Sequence, residues 1–151
     1  MKKDDGYSLS SDFKPECLRF RFKSEGDKGV IEKIIEFTYI PERPWNLGFG
    51  DVKGDDWEDD VISNNNDFRK ILQTIANAIH EFCDIYPNQE IAIVPLDKQR
   101  KLLYNRVFQQ RWFEIEPLFL VKAVDLKSEN PSFEQYNPKR LFDLFVIMRK
   151  Y

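Results

Sequence analysis

The chain has 151 residues, of which 42% are hydrophobic, 15% aromatic and 32% charged, which suits a single core of the ~100–200-residue domain size. Its 23 lysines and arginines against 26 aspartates and glutamates give a net charge of −3, which excludes a general cationic field that would draw in nucleic acid. No apolar run approaches the ~20 residues of a bilayer-spanning helix, and Met1-Lys2-Lys3-Asp4-Asp5-Gly6 leads into no secretory apolar segment, so a cytoplasmic protein with no membrane partner is expected.

Residues 1–16 are polar and aperiodic and read as a flexible N-terminal arm before one domain spanning 17–151. Arg19-Phe20-Arg21-Phe22 alternates polar and apolar, Glu25-Gly26-Asp27-Lys28-Gly29 supplies turn chemistry, and Val30 to Tyr39 is rich in Ile, Val, Phe and Thr; together they predict a β-hairpin. Pro41 and Pro44 lack the N–H that a ladder requires, so a long irregular loop is expected to run to about residue 66.

From Asp67 to Tyr86 the apolar residues Phe68, Ile71, Leu72, Ile75, Ile79, Phe82 and Tyr86 recur with helical spacing. Ser63, Asn64, Asn65 and Asn66 offer capping oxygens before this helix, and Pro87-Asn88 stops it. A strand at 90–94, a second helix from about 97 to 113, a strand at 119–124, a polar loop at 127–139 and a C-terminal strand at 141–148 complete the reading. The order is β-β-α-β-α-β-β, and the expected fold class is α+β, a twisted mixed sheet of about five strands with two main helices.

Two cysteines, Cys17 and Cys83, lie far apart without metal-type spacing and are read as reduced thiols. Asn46-Leu47-Gly48-Phe49-Gly50-Asp51 holds two glycines but lacks the strand–GxGxxG–helix context of a dinucleotide loop, so a turn with positive φ at Gly48 or Gly50 is favoured over phosphate binding. The acidic stretch Asp55-Asp56-Trp57-Glu58-Asp59-Asp60 does not match a calcium loop and is read as a solvated loop, with no metal site predicted. His80, the single histidine, falls off the apolar arc of its helix and is expected at the surface.

The second helix carries the most chemistry. Arg100 shares a face with Leu103, Tyr104, Val107 and Phe108, and with Lys101 it stands near a helix N-terminus, where an anionic ligand is favoured. The alternative for Arg100 is a structural ion pair. Lys98, Arg100, Lys101, Arg106 and Arg111 spread around the helix rather than forming one stripe, so no nucleic-acid partner is expected.

The set Asn46-Leu47-Gly48-Phe49-Gly50-Asp51, Ser63-Asn64-Asn65 with Asp67 and Lys70, and Arg100 with Leu103-Tyr104 resembles a small bacterial domain family of unknown function. That resemblance implies a self-contained intracellular domain and brings no catalytic residue. The order hairpin, helix, strand, helix, strand, with Leu102-Leu103-Tyr104 before Trp112-Phe113-Glu114, is also similar to the core of GCN5-related acetyltransferases. This second likeness implies acetyl coenzyme A as cofactor, Arg100 on its phosphates and Tyr104 as proton donor to a departing thiolate.

Whether the protein is an enzyme is left open by these residues. The leading expectation is a non-catalytic binding or interaction module with no cofactor, whose partner is a protein or a small anionic ligand. Trp45, Phe49 and Trp57 are the candidate contact residues in the long loop, and a loop folded onto the core is the alternative for them. The other expectation is an acyltransferase that uses acetyl coenzyme A.

Overall fold

The computed structural model describes residues 5–53, 56–58 and 65–151. Among these, nine strands are hydrogen-bonded in the order β1-β2-β3-β4-β6-β9-β7-β8, with β5 pairing to β4 off that path, and three helices are interspersed. This corrects the expected five-stranded sheet. The expected loop at 40–66 contains two strands, β4 (Trp45–Lys53) and β5 (Asp56–Glu58), the arm contains β1 (Ser10–Lys14), and the polar loop at 127–139 contains β8 (Glu134–Gln135). Pro41 and Pro44 precede β4 rather than interrupt it, and so remove no ladder hydrogen bond from it.

Two compact units are present, Met1–Arg43 with Leu47–Pro87 and Pro44–Asn46 with Asn88–Tyr151. In the first, β2 (Cys17–Gly26) and β3 (Gly29–Thr38) form the expected hairpin in continuous antiparallel register from Cys17↔Thr38 to Gly26↔Gly29. Strand period decides which side chains are inside. Leu18, Phe20, Phe22 and Ser24 are buried while Arg19, Arg21 and Lys23 alternate outward. Asp27 and Lys28 form the two-residue turn without positive φ, and the left-handed backbone falls on Gly29 just after them, at 87°.

Helix α1 (Phe68–Ile85) lays its apolar stripe on this hairpin, with Phe82 stacked on Phe37 at 4.4 Å between ring centroids. Burying a phenylalanine of this kind contributes about 1.5–3 kcal/mol, and Phe20, Phe37 and Phe82 are all fully buried. The helix ends at Tyr86, before Pro87 and an Asn88 with φ of 63°.

In the second unit, Trp45 and Asn46 pair in parallel with β6 (Ile91–Ile93), β6 pairs antiparallel with β9 (Leu144–Arg149), β9 with β7 (Phe119–Val124), and β7 with β8. Helix α2 (Lys98–Gln110) is followed after Arg111 by the single turn α3 (Trp112–Ile115). Phe108 of α2 stacks on Phe145 at 4.3 Å, and Tyr136, Trp112 and Phe142 complete an aromatic cluster around them. No helix among the described residues is long and apolar enough to cross a membrane.

Candidate functional site

Asn46 to Asp51 lie in β4 rather than in a turn, and neither Gly48 nor Gly50 has positive φ. This corrects the expected glycine turn. Phe49 and Asp51, two residues apart, point to one face of the strand. There Asp51 Oδ1 lies 2.5 Å from Lys33 Nζ, with both side chains buried, and the ammonium lies 5.5 Å from the Phe49 ring centroid. Phe49 also stacks on Phe22 and Phe22 on Tyr7. A buried pair of this kind is costly to break from one side, because the remaining charge keeps its desolvation penalty.

Asn65 and Asp67 act as a clamp. Asp67 Oδ2 accepts the Ser24 hydroxyl at 2.5 Å and the Tyr7 hydroxyl at 2.6 Å, so its carboxylate caps no N–H of α1. The Asn65 side chain donates to the Gly29 carbonyl at 2.9 Å and to Ser24 Oγ at 3.1 Å, and accepts the Lys28 N–H. These bonds tie the hairpin turn to the start of α1. A Cβ on Gly26 would lie 1.9 Å from the Asn65 carbonyl oxygen, so only glycine permits this approach. The arm is held here too: the Tyr7 N–H donates to Thr74 Oγ1 at 2.8 Å and Lys70 sits over the Tyr7 ring. Burial, together with the bond to Asp67, pushes the Tyr7 phenol up. Ser63 and Asn64 lie outside the described residues.

Arg100 is 4% exposed, and its Nη1 is 2.8 Å from Asp97 Oδ2. Asp97 is the N-cap of α2, and its other oxygen accepts the Arg100 N–H at 2.7 Å. The guanidinium is therefore engaged by its own helix cap, although its Nε has no hydrogen-bond partner. Lys101 pairs with Asp143 at 2.6 Å; that bond outweighs burial and, with the Leu126 N–H, holds the Asp143 carboxyl below its usual value. Tyr104 is half-buried on the same helix.

Trp45 is buried at 5% exposure and Phe49 is half-buried. The side chain of Trp57, with Asp55, Asp59 and Asp60 of the acidic stretch, lies outside the described residues. His80 is 4% exposed, which corrects the expected surface position. Neither Cys17 nor Cys83 is in a disulfide, and burial, reinforced by Glu36, pushes the Cys17 thiol up. Among the described residues no cluster of three or more His, Cys, Asp or Glu side chains is arranged to hold a metal ion.

Two features of the second unit were not legible as sites. Asn105 is 1% exposed, and its carboxamide bonds both backbone groups of Phe142, donating to the carbonyl and accepting the N–H at 2.9 Å each. Tyr136, in the expected polar loop, is 4% exposed with an unpartnered hydroxyl, and burial pushes its phenol up to about 12.

A cleft of about 760 Å³ opens in the second unit. Alternation along β7 buries Phe119, Val121 and Ala123 on one face and turns Leu120 and Lys122 to the other. The register places Leu120 opposite Met148 and Lys122 opposite Val146, so these four share a sheet face that lies away from the Phe108–Phe145 stack. Trp112 and Phe133 also line the cleft, and Leu120 and Phe133 are 51% and 52% exposed. The volume is within the ~300–1,000 Å³ of ordinary ligand clefts.

The described residues form a mixed, mostly antiparallel sheet with three helices, and the recognisable polar motifs are built into that architecture. The chain belongs to a family of unknown function (DUF6934), whose sequence model matches residues 3–150. No curated protein and no solved structure matches the chain.

Proposed function

We propose that this protein is a non-catalytic binding module and that the cleft of its second unit is the contact surface. The observation that carries the reading is the exposed apolar lining of that cleft, Leu120 and Phe133 beside Trp112 and Met148. Large apolar and aromatic side chains left in water are what partners bury, and a flexible thioether adapts to their shape. The polar candidates support this division of labour. Arg100, Lys101, Asn65, Asp67 and Asp51 each already hold a partner within the chain. Two cysteines that form no disulfide support a cytoplasmic working place.

The test compares proteins retained by the immobilised wild-type chain with those retained by Leu120→Asp and Phe133→Asp, alongside calorimetric titration of acetyl coenzyme A. A partner retained by the wild type and lost with both variants is the expected result. Unchanged retention by the variants, or saturable acetyl coenzyme A binding that Arg100→Ala abolishes, would overturn the reading.

A further inference from the structure

Resting on that reading of the cleft, we infer that its occupant is a second copy of this chain, packed about a two-fold axis. A two-fold interface uses the same patch on both subunits, so the patch must be complementary to itself. The charges of the cleft satisfy that condition. Of the charged residues lining it, Glu90 pairs with Lys122 at 2.8 Å, and Glu134 pairs with Arg140. One acid and one base remain, Glu116 and Lys150, and neither forms an ion pair among the described residues.

The two stand at one end of the cleft, where the Lys150 N–H donates to the Leu118 carbonyl at 2.9 Å, two residues beyond Glu116. A two-fold axis that runs between Glu116 and Lys150, along the β7–β9 seam, sets Glu116 of one copy against Lys150 of the other, and does so twice. A strongly acidic or strongly basic peptide would instead meet a like charge at one of these positions, which disfavours it. The apolar part of the patch agrees with the charges. Its floor is the part of a sheet face at Leu120 and Met148, bounded by the already buried Val146, and two such faces pack directly on one another where they are exposed. Phe113, 74% exposed on α3 next to Trp112, supplies a projecting ring beside the cleft. Pairing removes Leu120, Phe133 and Phe113 from water in both copies, and this apolar burial drives association.

Sedimentation equilibrium of the full chain across micromolar concentrations tests the inference. The wild type is expected to dimerise with a thermal midpoint that rises with protein concentration, and Leu120→Asp to be folded and monomeric with a midpoint that does not. Glu116→Lys and Lys150→Glu are each expected to weaken the dimer about tenfold or more, and the doubly exchanged protein to recover it, since close charge pairs across interfaces couple. A wild type that is monomeric throughout, a dimer untouched by Leu120→Asp, or a double exchange without recovery would overturn it. Both charge positions are exposed, so the exchange series decides the matter even if Leu120→Asp fails to fold. A monomeric wild type that still loses a retained partner on Leu120→Asp overturns the second copy alone and leaves the binding module standing.

Discussion

The two units differ in what they do with polar side chains. The first buries an ammonium–carboxylate pair, Lys33 with Asp51, and closes Ser24, Asn65, Asp67 and Tyr7 into a hydrogen-bonded clamp. The second builds its interior from stacked aromatic rings, Phe108, Tyr136, Phe142 and Phe145, and leaves a sheet face open beside them. A motif of charged and amide residues marks architecture in the first unit, as Arg100 and Asn105 do singly in the second, while an unremarkable alternation of Leu and Lys marks the accessible surface of the second. Buried polar groups that are mutually satisfied fix one arrangement of strands and helix, whereas exposed apolar groups gain only by meeting another surface.

Substitutions sharpen that contrast. The largest effect is expected at Asp51→Ala, which leaves the Lys33 ammonium buried without its carboxylate. A loss of about 3–5 kcal/mol should appear in urea denaturation, and a Lys33→Met/Asp51→Leu double variant should recover most of it. If Asp51→Ala costs no more than a surface substitution, the first unit does not depend on its charge pair. Next comes Asn65→Ala, which strands the Lys28 N–H and the Gly29 carbonyl, at about 1–3 kcal/mol. Asn105→Ala in the second unit, which strands the backbone groups of Phe142, should cost a comparable amount, and a large difference between the two would locate the dominant clamp.

pH tests the aromatic interior. The Tyr136 phenol is raised from 10.0 to about 12 by burial, so the unfolded chain releases this proton at lower pH than the folded one. Its contribution to stability is whole below pH 10 and is lost as pH rises from 10 to about 12. Tyrosinate absorbance should show Tyr136 titrating late, in addition to the raised Tyr7, and Tyr136→Phe should remove the Tyr136 component while costing little, because the hydroxyl has no partner. The smallest effect is expected at Asp143. Its carboxyl is held low chiefly by Lys101, so the stability it contributes is present above the ordinary carboxylate range and fades as pH falls toward its lowered value. With Lys101→Ala, carbon-detected titration of Asp143 should move up and the acid loss of stability should shrink.

Much of the framework could be read along the chain. Alternation from Leu18 to Phe22 and the turn at Gly26–Gly29 marked the hairpin, and the apolar recurrence from Phe68 to Tyr86 marked α1 within a residue at each end. The start of α2 near residue 97 and its early arginine were also visible, though not that Asp97 caps the helix or that it and Arg100 serve each other. What escaped were strands without a clean period. In β4 the glycines and Asp51 hide the alternation, because Asp51 is buried only by virtue of Lys33 on another strand. His80 and Asn105 fall off the apolar faces of their helices yet are buried by what packs over them.

Sequence alone determined the local elements whose energetics are local: a period of two where one strand face is covered, a period near 3.6 where a helix lies on a sheet, and breaks at proline and glycine. It also determined the family, since the match runs from residue 3 to 150. Only tertiary structure decided which polar residues are spoken for and which apolar ones stay in water. Lys33 is separated from Asp51 by 18 positions, Ser24 from Asp67 by 43 and Asn105 from Phe142 by 37, and no one-dimensional pattern records such pairings. The cleft follows the same logic. Leu120 is exposed and Val121 buried because Val121 lies on the side of β7 that faces the Phe108–Phe145 stack, while the other side is open at Leu120 and Lys122 and covered only at Val124, a difference set by the packing of neighbouring elements rather than by either side chain's own hydrophobicity.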